Sequence, residues 1–295
     1  MHRKDFLTRK TKWWIVVFLF SFPLAVFGEE EDTKLAQKSD SASKMSPWIG
    51  AYPMSIFTRA RTSKTVGKDH LSLSLKLQCF DYDEIRRSDG CYHDLGSNSK
   101  YKYSNVLCAK YGWAKDHHLA LGIPYLWNNS EMNGVTFNND GLGNIYLFEK
   151  WNLIKETESI PGIAVDVWHY FPTGNTQRKV GNDDYAWKFT TEISKAWEWF
   201  SVHVNPGYQI SEGRDEDVIL GDAAVILTPW EKFWPAVEYN YTYTESKGRC
   251  NELIPGFIWK FLPNASFKLG AVINLDATTQ FRDEVGLVAK IFYRF

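Results

Sequence analysis

Apolar and polar residues alternate along most of the chain with a period of two. At the C-terminus Val285, Leu287, Ala289, Ile291, Tyr293 and Phe295 share one face. Gly286, Lys290 and Arg294 share the other, with Val288 and Phe292 out of pattern. Leu71, Leu73, Leu75, Leu77 and Cys79 alternate with Ser72, Ser74, Lys76 and Gln78 in the same way. So do Phe267, Leu269, Ala271 and Ile273 against Ser266, Lys268, Gly270 and Asn274. This period belongs to a strand with one apolar and one polar face. It predicts twelve segments, at about 70–80, 101–112, 116–127, 142–152, 160–171, 184–194, 197–210, 217–228, 233–245, 251–261, 265–275 and 284–295.

Length separates a membrane barrel from a soluble sandwich. The segments reach about ten residues, enough for a tilted strand to cross a bilayer; soluble strands average about 5–6. The breaks alternate, short at 113–115, 195–196, 229–232 and 262–264, long at 81–100, 128–141, 172–183 and 276–283. Only 153–159 is intermediate. Trp113, Trp151, Trp197, Trp199, Trp230 and Trp234 flank the short breaks; Trp127, Trp168 and Trp187 flank the long ones. Two aromatic girdles are what two membrane–water interfaces select. The pattern predicts an all-β fold, a transmembrane antiparallel up-and-down β-barrel of about 12 strands. An even count puts both chain ends on the periplasmic side.

The N-terminus has a different character. Arg3, Lys4, Arg9, Lys10 and Lys12 precede an apolar run from Trp13 to Phe22, then Pro23 and the small-residue step Val26-Phe27-Gly28. That order is expected of a signal peptide over 1–28, cleaved on export. Residues 29–69 then form a periplasmic leader, within which 47–58 (Trp48, Ile49, Tyr52, Ile56, Phe57) is either a further strand or a plug that enters the lumen. The barrel occupies 70–295. Residues 1–28 hold five of the 34 basic residues and one of the 35 acids, so the remainder carries 29 against 34, a net −5. No basic stripe points to nucleic acid. The mean hydropathy of −0.35 argues against helical spans despite 44% hydrophobic residues.

Candidate chemistry is sparse. The chain has no GxSxG, HExxH or GxxxxGK[ST] motif, so no cofactor and no catalytic or metal site is expected. His117 and His118 point to opposite faces of a strand and cannot share a metal; a solvated interfacial role is expected of both. Ser201 and His203 share the inward polar face of one strand, the wrong face for a barrel enzyme acting on lipid. Cys79, Cys91, Cys108 and Cys250 match no zinc or redox spacing. Cys79 and Cys108 fall on strands, and one bridge between Cys91 and Cys250 is the expectation for the loops. A Lys or Arg facing lipid at mid-membrane costs about 2–4 kcal/mol. The lumen is therefore expected to be lined by Lys76, Asp166, Lys188, Glu192, His203, Glu238, Lys260, Lys268, Lys290 and Arg294.

Leu142-Gly143-Asn144-Ile145-Tyr146-Leu147 with Lys150-Trp151-Asn152-Leu153, the corner Phe171-Pro172-Thr173-Gly174-Asn175, Asn205-Pro206-Gly207-Tyr208 and Glu238-Tyr239 form a set over about residues 100–295. This set resembles the "MetA-pathway of phenol degradation" family of outer-membrane proteins. The chain has Gly143-Asn144 where that family usually has Gly-Asp. The resemblance implies an outer-membrane barrel that transports small, often aromatic or hydrophobic, compounds. The closing Tyr293-Arg294-Phe295 resembles the C-terminal signal read by the barrel-assembly machinery, with Tyr293 and Phe295 as its aromatics. The partners expected are outer-membrane lipid, that machinery and a small-molecule solute. Two other readings stay open: a structural or adhesive barrel with a plugged lumen, and a barrel enzyme acting on lipid.

Overall fold

The computed structural model describes residues 54–86, 92–94, 99–178, 180–213, 217–245, 248–277 and 281–295. Residues 47–53 lie outside them, as do residues 1–46 with the expected signal peptide. The strands are β1 (Leu71–Arg86), β2 (Tyr92–Asp94), β3 (Ser99–Ala114), β4 (His117–Met132), β5 (Val135–Leu142), β6 (Tyr146–Ile154) and β7 (Gly162–Tyr170). They continue as β8 (Ala186–Ala196), β9 (Phe200–Ser211), β10 (Val218–Leu227), β11 (Phe233–Thr244), β12 (Gly248–Leu262), β13 (Ala265–Ala277) and β14 (Phe281–Arg294).

Twelve of these form one antiparallel ring, β14-β13-β12-β11-β10-β9-β8-β7-β6-β4-β3-β1, closed by β14 on β1. The closing register runs from Ser72 opposite Arg294 to Ile85 opposite Phe281, so no barrel strand is left with an open edge. β2 pairs with β1 and β5 with β4 above the ring. The alternation fixes which face of each strand points inward: even-numbered residues do so on every ring strand except β9, where odd ones do. Leu75, Leu107, Leu121, Leu287 and Ile291 are exposed on the outside. Ser74, Lys110, Lys150, Asp166, Glu238 and Lys268 are buried on the inside. That is the reverse of a soluble protein.

Two expectations are corrected here. The break at 128–141 is not an irregular loop: β4 and β5 extend through it as a hairpin, turned at Asn133 (φ 53) and Gly134 (φ 75). Both central residues have positive φ, the Asn-Gly geometry that matches strand twist. Trp234 and Trp168 are not girdle residues. They sit at even positions of β11 and β7, point inward and are only 1% and 3% exposed. Trp113, Trp197, Trp199 and Trp230 do lie outward at the mouth with the short turns.

Residues 54–66 are not part of the wall. They fold back on themselves inside the barrel as a tight hairpin, with Ser55 bridged to Arg61. The Ile56 N–H donates to the Ala60 carbonyl at 2.8 Å, and the Thr62 N–H to the Met54 carbonyl at 3.3 Å. The exit segment leaves past β3. There the Asp69 N–H donates to the Gly112 carbonyl at 2.7 Å, and a Cβ at Gly112 would lie 2.0 Å from the Gly67 carbonyl oxygen. Only glycine permits that approach. Residues 54–58, the described part of the 47–58 segment, lie in this hairpin.

Candidate functional site

The site is the contact between this hairpin and the lumen wall. One side of it is apolar. Ile56, Phe57 and Ala60 pack against the inward Ile226, Trp234, Ile254, Ile258, Val272 and Val288. Val288, out of pattern in the sequence, is thus a wall residue facing a stopper rather than water. Phe57 reaches the wall where β12 and β13 carry Gly256 and Gly270; a Cβ on Gly256 would lie 2.8 Å from the ring and 2.1 Å from the Leu269 carbonyl oxygen. Burying Ile56 and Phe57 favours the seated hairpin by about 1.5–3 kcal/mol each.

The other side is polar, and wall side chains satisfy the hairpin's backbone. Glu238, fully buried on β11, receives the tip. Its carboxylate accepts the N–H groups of Phe57 at 2.7 Å, Thr58 at 3.1 Å and Arg59 at 2.8 Å, and also the Thr58 hydroxyl. Successive N–H groups turned towards one anion form a nest, and an ionised acceptor makes each bond stronger than a neutral one. Below the tip, Lys268 Nζ donates to the Ser55 carbonyl, and Lys290 Nζ donates to its hydroxyl at 2.7 Å. Asn205 accepts the Arg61 N–H at 2.7 Å and donates to its carbonyl at 3.1 Å. Lys150 Nζ donates to the Thr62 carbonyl at 2.6 Å and pairs with Glu192.

Two arginines leave the hairpin for wall carboxylates. Arg61 reaches Asp166 at 2.6 Å, and its guanidinium lies 3.8 Å from the centroid of Trp168. Arg59 reaches Asp222 at 3.1 Å. Trp168 stacks on Phe148, centroids 4.0 Å apart, and Tyr146 and Tyr170 flank the pair. Lys188 lies 3.8 Å from the Trp168 centroid, and Lys110 lies 5.5 Å from that of Phe148.

Each expected lumen residue has a definite place. Asp166, Glu192, Glu238, Lys268 and Lys290 engage the hairpin or its partners. Lys76 and Lys188 point inward and are half-buried. Lys260 covers Trp234, 4.9 Å from its centroid. Arg294 lies exposed at the rim. His203 is fully buried between two hydroxyls, Nε2 at 2.9 Å from Ser201 Oγ and Nδ1 at 2.9 Å from Ser194 Oγ, and Ser194 Oγ accepts the Ser63 N–H. Serine occupies the position where a triad would place an acid, and all three residues are sealed under the hairpin.

His118 corrects the interfacial expectation. It is 1% exposed, and its Nδ1 accepts the Val66 N–H at 3.2 Å; only His117 is peripheral. Cys250 lies in β12 with Asn274 Nδ2 4.0 Å from its sulfur; its expected partner Cys91 lies outside the described residues. Lys110, Lys150 and Asp222 lie on the same alternating faces as the expected lumen residues and were within reach of the same pattern. Arg59 and Arg61 carried no such signal, because the hairpin has no period.

No family model and no curated protein matches the chain. The fold is similar to that of the COG4313 outer membrane channel from Pseudomonas putida F1, at 10% identity and a TM-score of 0.67, over 79% of this chain and 98% of that one. It is also similar to the NanC porin, at 9% identity and a TM-score of 0.51, over 75% of this chain and 98% of that one. At these identities the likeness is one of fold.

Proposed function

We propose that the chain is an outer-membrane channel for small solutes, closed at rest by its own hairpin and related to the phenol-degradation outer-membrane family. The observation that carries this reading is the separation of wall from stopper. The twelve-strand ladder closes without residues 54–66, which bridge only to themselves. Moving the hairpin breaks bonds from wall side chains but none of the wall's backbone ladder. The outward apolar surface calls for lipid around the ring, because exposed leucines on many strands at once have no other suitable solvent. A barrel similar in fold over nearly its whole length is described as an outer membrane channel. The half-buried Lys76 and Lys188 and the 29% exposed Arg59 side chain mark where solvent reaches the lumen above the tip.

Glu238 is the tip's main receiver, so weakening it tests the reading. Glu238→Gln replaces an ionised acceptor by a neutral one. Charge-assisted bonds contribute about 1.5–3 kcal/mol each against about 1 for neutral ones, so weakening the four bonds to the tip raises the open population by at least about tenfold. Liposomes carrying the variant are expected to swell faster in small neutral and charged solutes than those carrying the parent. A folded variant as tight as the parent would favour the plugged structural barrel.

A further inference from the structure

Five lysines face the lumen without a direct ion pair among the described residues: Lys76, Lys110, Lys188, Lys268 and Lys290. The lumen carboxylates at the same level are engaged elsewhere. Asp166 holds Arg61, Asp222 holds Arg59, Glu192 holds Lys150, and Glu238 holds the hairpin backbone. Lys268 and Lys290 donate to neutral oxygens of Ser55 rather than to a carboxylate. Register concentrates the excess: Lys76 lies directly opposite Lys290, and Lys290 directly opposite Lys268, a row of three across β1, β14 and β13. Like charges in direct opposition destabilise a sheet, so the row is costly unless an anion or water offsets it.

Elsewhere in the lumen, rings position Lys188 and Lys110, and Arg61 is held by both Asp166 and Trp168. Lys188 and Arg61 both lie 3.8 Å from the centroid of Trp168, and Lys110 lies over Phe148. A cation–π contact fixes where an ammonium sits without cancelling its charge, whereas a salt bridge spends that charge on its partner. Tyr146 and Tyr170 add half-buried apolar surface beside these cations.

We propose that the lumen above the hairpin is a binding site for a small organic anion of the carboxylate class with an apolar body. The anionic head sits at Lys188, with the buried Lys110 adding attraction from across the Phe148–Trp168 pair, and the body lies against the tyrosine edges. Lys76, on the strand next to that of Lys110, adds further attraction. This assignment names a solute class for the channel proposed above and rests on that reading. It adds an anionic head to the small, often aromatic or hydrophobic, compounds that the family resemblance implies.

The test uses the full chain in detergent, with benzoate and its uncharged isostere benzamide as probes and tryptophan fluorescence as the readout. Benzoate is expected to bind at least about tenfold more tightly than benzamide, a difference of about 1.4 kcal/mol. Lys188→Gln combined with Lys110→Gln is expected to weaken benzoate about tenfold and leave benzamide unchanged, and Lys188→Arg to retain benzoate binding. Equal affinity for the two probes, no benzoate binding, or indifference to the glutamine pair in a heat-modifiable barrel would each overturn the assignment. Binding is measured without conduction, so a chain that binds benzoate but never conducts contradicts the channel and not the site. A conducting chain indifferent to benzoate contradicts the site and not the channel.

Discussion

At the scale of single residues, the lumen works because buried charge is matched by geometry. Lys150 and Glu192 are 1% and 0% exposed and form an ion pair that also holds the Thr62 carbonyl. Losing one partner leaves the other buried and uncompensated, which costs about 3–5 kcal/mol, whereas replacing both by apolar residues of similar volume is close to neutral. Lys150→Met is therefore expected to lower the denaturant midpoint strongly, and Lys150→Met with Glu192→Met to recover most of the loss. Equal midpoints for the two variants would mean that water, not the pair, satisfies these groups. Alternation pointed Glu192, Glu238, Lys268 and Lys290 inward, and Lys150, left out of the expected lumen set, follows the same parity. What each one binds was not legible. Glu238 meets Phe57 across 181 residues and Lys290 meets Ser55 across 235, and a period of two carries no information about such separations.

At the scale of elements, the strands were the most legible part, since a period of two over ten or more residues has only one structural reading. The β4–β5 hairpin was missed because its outer half is polar on both faces, as in Asn128, Asn129 and Ser130, so only the Asn133-Gly134 turn marked it. The inward Trp234 and Trp168 were misplaced because proximity to a break outweighed strand parity. The last strand closes the ring, and the Phe295 N–H donates to the Leu71 carbonyl at 2.8 Å while its own carbonyl lies 3.0 Å from His70 Nδ1. Tyr293 and Phe295 project outward, centroids 4.7 Å apart, at this seam. Deleting Phe295 is expected to cut the yield of heat-modifiable barrel several-fold without altering the solute preference of the chains that do assemble. Normal yield on a gel run without boiling would remove the terminal aromatic from the assembly account.

At the scale of the whole molecule, the inverted arrangement of apolar and polar residues makes a claim about solvent. Leu107 is 51% exposed near the middle of β3, whereas Tyr111 lies one turn of the pleat from the short-turn mouth. In a membrane, Leu107→Arg should cost about 2–4 kcal/mol and Tyr111→Arg only about 0–1, measured as shifts in denaturant midpoint in vesicles. Equal shifts would argue against a lipid-facing band. The central claim joins this wall to a stopper that can leave it. Thr58 and Asn240 put hairpin tip and wall in contact, with the Asn240 Nδ2 donating to the Thr58 hydroxyl at 2.6 Å. In a chain whose four native cysteines are replaced by serine, Thr58→Cys with Asn240→Cys can be joined by oxidation. Conductance across a planar bilayer is then recorded before and after reductant is added. The account predicts a silent oxidised protein that opens on reduction; identical conductance in the two states, or silence in both, would contradict it.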